Sequence, residues 1–195
     1  MGSVYTNTVT LTVKIKPVIT TQPANVTVNE GKTATFKVVA TGATSYQWQY
    51  QKPGTSTWTD VSNNGTSASY SLTTAARHNG YKYRCKVTNV AGSVNSNTVT
   101  LTVKPLPVIT TQPKAVSVTA GAKATFKVVA DGATKYQWQY QKPGDTTWTN
   151  VSTNGTSATY TLTTAARHND YKYRCKVTNA AGSVYTNVVT LTVKS

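Results

Sequence analysis

The chain repeats itself. Residues 15–104 align with residues 105–194 at a constant offset of 90, without a gap, and 68 of those 90 positions are identical. The blocks YQWQYQKPG, LTTAARHN and YKYRCKVTN recur letter for letter. A period of 90 residues is too long for a solenoid repeat, which leans on its neighbours for a core, and suits a complete small domain. One copy must therefore close its own core, and the organisation reads as 1–14, 15–104 and 105–195. The junction Lys104-Pro105-Leu106-Pro107 is short and carries two prolines, which predicts a stiff, extended arrangement of the two copies.

The first segment is a third partial copy. Gly2 to Lys14 reproduces Gly182 to Lys194 except that Thr8 stands where Val188 does, and Met1 sits where Ala91 and Ala181 sit. Residues 2–14 are therefore expected to be the last strand of an upstream repeat. Such a strand, parted from its neighbours, is expected either to fray as a tail or to exchange with an exposed sheet edge.

Within each copy the apolar residues alternate. Val26-x-Val28, Phe36-x-Val38-x-Ala40, Tyr46-x-Trp48-x-Tyr50, Tyr70-x-Leu72, Tyr81-x-Tyr83-x-Cys85-x-Val87 and Val99-x-Leu101-x-Val103 all run at the period of a half-buried strand. Turn residues separate them at Glu30-Gly31, Thr41-Gly42, Lys52-Pro53-Gly54, Asn63-Asn64-Gly65 and Ala91-Gly92. The 39 Thr and 25 Val push the same way, since β-branched side chains favour strands over helices. Six or seven short strands per copy predict an all-β fold, a β-sandwich. Ala75 to Asn79 is the one helix-like stretch, expected as a single turn between sheets.

These residues resemble the immunoglobulin superfamily, and most closely the immunoglobulin-like (I-set-like) repeats of bacterial surface and secreted proteins. A Trp is centred in one strand (Trp48, Trp138), and about 37 residues later comes a Tyr-x-Cys pair (Tyr83-Arg84-Cys85, Tyr173-Arg174-Cys175). A Pro-Val-Ile-Thr-Thr-Gln-Pro stretch leads into both copies. The resemblance implies two tandem immunoglobulin-like β-sandwiches with a structural core of Trp48, Tyr83, Cys85 and Trp138, Tyr173, Cys175. It further implies that Tyr83 and Tyr173 are corner residues whose hydroxyls bond back to the chain. The first cysteine of the family pattern is absent, because Val38 and Val128 stand there, and Asn79 and Asn169 replace an Asp common at that corner.

The two cysteines occupy equivalent core positions of different copies, so their Cα atoms should lie far beyond the ~7 Å that a bridge tolerates. No disulfide is expected, and each thiol is read as a small buried hydrophobe.

Catalysis needs a paired acid and base, an activated nucleophile or a metal. The five acids are Glu30, Asp60, Asp131, Asp145 and Asp170, and their counterparts are Ala120, Asn150, Thr41, Thr55 and Gly80, so no carboxylate is shared by the two copies. His78 and His168 stand alone beside Arg77 and Arg167, too few ligands for a metal. No enzyme activity, cofactor or metal is expected.

Binding remains. The 20 Lys+Arg give a net charge of +15. With Tyr83, Cys85 and Val87 facing inward, Lys82, Arg84 and Lys86 face outward together, beside Gln47, Gln49 and Gln51 on the neighbouring strand. Trp58 is placed to cap this face, and the second copy repeats the set with Lys172, Arg174, Lys176, Gln139 and Trp148. Two uses follow. The favoured one is structural: spacer or stalk repeats of a bacterial cell-surface or secreted protein, partnered by neighbouring repeats, with Trp58 covering the sandwich rim or lying under Arg84 as a cation–π pair. The other is adhesion, or recognition of acidic glycans or cell-wall polymers by the basic face. Nucleic acid is disfavoured because no basic helix or RNA-binding motif is present. Membrane insertion is not expected either, since no apolar run approaches ~20 residues.

Overall fold

The alternation resolves into ten strand segments per copy. In the first they are β1 (Val18–Thr21), β2 (Val26–Asn29), β3 (Thr33–Lys37), β4 (Val39–Thr41), β5 (Ser45–Gln51), β6 (Thr59–Asp60), β7 (Ser69–Thr73), β8 (Lys82–Asn89), β9 (Gly92–Asn95) and β10 (Val99–Lys104). In the second they are β11 (Val108–Thr111), β12 (Val116–Thr119), β13 (Lys123–Lys127), β14 (Val129–Asp131), β15 (Lys135–Gln141), β16 (Thr149–Asn150), β17 (Thr159–Thr163), β18 (Tyr171–Asn179), β19 (Gly182–Tyr185) and β20 (Val189–Lys194). These come from a computed structural model that describes residues 1–194, in which the chain divides into two units, Met1–Val103 and Lys104–Ser195.

Each unit is a sandwich. In the first, one sheet orders β2-β10-β8-β5-β6 with β9 also paired to β8, and the other layer holds the β3-β7 and β1-β4 pairs. The second unit repeats this order, with β12 running parallel to β20 and β15 antiparallel to β18. Among the described residues a single turn of 3₁₀ helix, Ala76–His78 in the first copy and Ala166–His168 in the second, makes the one helical stretch of each.

One expected strand divides. The run from Phe36 to Ala40 breaks at Val38, so that β3 pairs with β7 while β4 turns to pair with β1. The Val38 N–H donates to Ala68 O (2.9 Å) instead of joining either ladder, and the β1-β4 register shifts between Ile19 and Thr21. A break of this kind lets a strand pass from one pairing to another without exposing its apolar residue, and Val38 stays buried.

The core of each unit lies between the layers. Trp48 pairs across the ladder with Cys85, and its indole Nε1 donates to Ser67 O (3.0 Å). Phe36 stacks on Tyr83 at 4.7 Å between ring centroids. Val38 fills the place of a first cysteine, both cysteines are free and buried, and no disulfide joins them. A loop seals the Trp48 end: the Trp48 N–H donates to Gly65 O (2.7 Å), and a Cβ on Gly65 would stand 2.5 Å from Val61 O. Only glycine fits there.

Residues 1–14 join no sheet. Val9, Leu11 and Val13 are exposed, whereas Val99, Leu101 and Val103, which carry the same residues in β10, are buried.

Candidate functional site

Alternation along β8 puts Lys82 and Lys86 on the outer face and leaves Arg84 half-buried between them. The ladder sets Gln49 opposite both Arg84 and Asp60. The side chains then close on one another. Arg84 Nε donates to Gln49 Oε1 (2.8 Å), Gln49 Nε2 donates to Asp60 Oδ1 (2.7 Å), and the Arg84 guanidinium lies 4.2 Å over the Trp58 ring. Gln47 does not join the outer face as expected, because its amide donates to the Trp48 and Val61 carbonyls (2.8 and 3.0 Å) and clamps the loop.

The second unit builds the same seam with one addition. Arg174 Nε donates to Gln139 Oε1 (2.9 Å), Gln139 Nε2 donates to Asn150 Oδ1 (2.9 Å), and the guanidinium lies 4.2 Å from the Trp148 ring and 4.3 Å from the Tyr185 ring. Lys172 is exposed, while Lys176 is half-buried opposite Tyr185 in the ladder. Beside this seam a shallow hollow of about 450 Å³ is lined by Lys135, Tyr136, Gln139, Asn150 and Lys176.

The corner works differently from the family pattern. Tyr83 and Tyr173 are buried, yet their hydroxyls bond to no described residue. Asn79 and Asn169 hold the corner instead, their Oδ1 atoms accepting from the Val103 and Val193 N–H groups (2.9 and 2.8 Å). Burial pushes the tyrosine hydroxyls up from their ordinary pKa and the thiols of Cys85 and Cys175 up to about 11, which leaves the thiols protonated and unreactive at neutral pH. His78 and His168 accept from the Ala75 and Ala165 N–H groups at Nδ1 (3.1 Å each). Burial, then the neighbouring Arg77 or Arg167, lowers their pKa.

A cleft in each unit escaped the sequence reading. In the first it measures about 530 Å³ and is lined by Tyr50, Lys52, Tyr70, Arg77, His78 and Tyr83, among others; its counterpart in the second measures about 760 Å³. The signal was present in the recurring YQKPG and AARHN blocks, but nothing in their spacing says that the two blocks meet. Among the described residues no three His, Cys, Asp or Glu side chains gather to hold a metal, and no helix is long and apolar enough to cross a membrane.

Comparison with known proteins agrees with the sandwiches. The immunoglobulin domain model matches residues 16–89 and the immunoglobulin I-set domain model matches residues 107–193. Endoglucanase C of Cellulomonas fimi is 34% identical over 181 residues, which span 91% of this chain but only 16% of that protein. The titin I-band fragment I67-I69 superposes with a TM-score of 0.50 at 19% identity, over 93% of this chain and 67% of that one. The IG1+IG2 pair of DIP-gamma does so with a TM-score of 0.50 at 17% identity, over 93% and 99%. At such identities these two structures speak for the fold alone. With an immunoglobulin model on each sandwich and a Trp–Cys core in both, the chain is a tandem pair of immunoglobulin-like domains.

Proposed function

We propose that the two domains are structural spacer modules of a bacterial secreted or cell-surface protein and carry no catalytic role. The observation behind this is the seam on the outer sheet: Arg84 lies over Trp58 and is held by Gln49, and Arg174, Trp148 and Gln139 repeat the arrangement. A tryptophan covered by its own guanidinium serves packing before it serves a ligand. The bacterial setting draws on the Cellulomonas fimi relative, where a stretch similar to this chain occurs in a protein named for endoglucanase activity. That activity is a property of the relative, and the shared stretch is a small part of it.

The experiment compares wild type with a Trp58→Phe, Trp148→Phe double variant in thermal unfolding and on a glycan array at about 0.15 M salt. The spacer reading expects lower stability and an unchanged array. A saccharide bound by wild type and lost in the variant at equal stability would overturn it.

A second reading, recognition of an acidic glycan or cell-wall polymer by the basic face, draws on the hollow flanked by Lys135 and Lys176. It expects binding that survives about 0.3 M salt and disappears in Lys135→Gln, Lys176→Gln, whereas binding abolished by salt alone reflects diffuse charge.

A further inference from the structure

The clefts of the two units share their aromatic and basic lining, and one lining position differs, Asn63 in the first being Thr153 in the second. Tyr50, Lys52, Tyr70, Arg77, His78 and Tyr81 in the first correspond to Tyr140, Lys142, Tyr160, Arg167, His168 and Tyr171 in the second, without a substitution. Across the 90 aligned positions 22 differ, Asn63 among them, and three of the residues that touch the outer seam or its hollow change: Asp60 is Asn150, Asn95 is Tyr185 and Ser45 is Lys135.

The polar groups of the cleft point one way chemically. Tyr70 and Tyr83 are 8% and 2% exposed, and their hydroxyls find no partner among the described residues. Among the described residues no side-chain oxygen is sealed away unpaired, so both hydroxyls keep some exposure, and both tyrosines line the cleft. A buried phenol normally finds a hydrogen-bond partner. Two in each cleft have none among the described residues. Tyr81 stacks on Tyr50 at 5.8 Å, and His78 meets Tyr81 edge-on at 5.6 Å. Because His78 Nδ1 is taken as an acceptor, the proton of its neutral ring sits on Nε2, a free donor. Lys52 and Arg77 line the same space and are exposed, and no Asp or Glu lines it.

Aromatic rings with hydroxyl, imidazole, ammonium and guanidinium donors, and no carboxylate, suit a pyranose ring that carries an anionic group. We propose that each cleft binds one acidic sugar residue of a hexuronate type. The ring lies against the tyrosines, its hydroxyls meet Tyr70 and Tyr83, and its carboxylate meets Arg77 and Lys52. A chain of such sugars would then be held at one site per domain, a role that is compatible with the spacer reading and does not rest on it.

The test is a titration of the full chain, followed by amide chemical shifts in NMR, with a short oligogalacturonate and with cellopentaose as its neutral counterpart. Two sites per chain are expected, with shifts at Tyr81 and His78 and at Tyr171 and His168, surviving about 0.3 M salt. Affinity for the neutral sugar should be about tenfold weaker. Arg77→Gln with Arg167→Gln should lower oligogalacturonate affinity about tenfold at an unchanged melting temperature, since both arginines are exposed. Tyr83→Phe with Tyr173→Phe removes only the hydroxyls and should lower it severalfold. Equal binding of the two sugars, binding indifferent to the arginine variants, or no shifts at millimolar sugar would each overturn the proposal. Because Trp58 and Trp148 lie outside the cleft, the spacer reading fails or stands on its own variant.

Discussion

The two domains share an interior and differ at the rim. All twelve buried hydrophobic residues of the first core, from Ala34 and Phe36 to Leu101 and Val103, are the same residues in the second. Even the one buried pair that differs, Ser96 and Thr186, keeps its function, because each hydroxyl accepts from the N–H of the core cysteine (2.9 Å in both). The rim has changed chemically. Arg84 has one aromatic ring above it and Arg174 has two. Gly80 takes a left-handed backbone at φ 78°, and Asp170 is held at φ 60° in the same place. Glu30 Oε1 accepts from the Ala76 N–H (3.1 Å) at the start of the helical turn, and Ala120 offers no such group. Dense packing makes changes of core volume costly, while rim groups each contribute little and can vary.

Residue-resolved native-state hydrogen exchange reads the two domains separately within the intact chain. The largest effect belongs to the shared core: Trp138→Ala should destabilise the second domain by about 3–5 kcal/mol. Protection in the first should persist; equal loss in both would show that they do not unfold independently. Next is the corner, where Asp170→Gly should stabilise the second domain by about 1 kcal/mol by removing a left-handed non-glycine residue. That gain is reduced if the Asn169 amide, which donates to Asp170 Oδ2 (3.0 Å), contributes to the corner. A second ring should then be transferable. Asn95→Tyr is expected to raise the first domain by about 0.5–1 kcal/mol, and Tyr185→Asn to lower the second by a similar amount. Glu30→Gln should cost the first domain a few tenths of a kcal/mol, as an exposed charge-assisted cap does.

Acid should act on both domains alike. The folded pKa of His78 and His168 is lowered below the ordinary 6.5, so the unfolded chain takes up protons first as pH falls. Stability therefore declines from about pH 6.5 down to the lowered folded value and levels off below it. A decline confined to one domain would show that the shared histidine environment is misassigned. At the alkaline end both thiols stay protonated to about 11, so stability falls as pH rises from 9 toward 11.

Much of this was legible in the sequence because it depends on period and identity. The duplication and the alternating strands are patterns of the sequence itself, and the missing first cysteine follows from the family resemblance. The outward face of β8 put Trp58 near Arg84, and the fold decides between covering the rim and stacking on the guanidinium in favour of the stack. Two features were not legible. The break at Val38 depends on which strand lies opposite each half of the run, and that is a property of the assembled sandwich. The tyrosine cleft brings Tyr50, from one sheet, against Arg77 and His78, from the turn between sheets, residues whose proximity only the fold determines. The corner was misassigned to the Tyr83 hydroxyl because the family pattern names a tyrosine there, while the carboxamide of Asn79 is already placed to accept from Val103.

The outer seam is the structural element on which the spacer role rests, and a double-mutant cycle measures it directly. Arg84→Gln, Trp58→Phe and the pair of changes together are compared by exchange of the Cys85 amide, whose N–H is bonded within the first domain. Coupling of about 0.5–1 kcal/mol is predicted in the first domain. The equivalent cycle on Arg174 should keep part of its effect through Tyr185 when Trp148 is replaced. Additive effects with no coupling in either domain would mean that these contacts hold nothing, and that the face is free for another use.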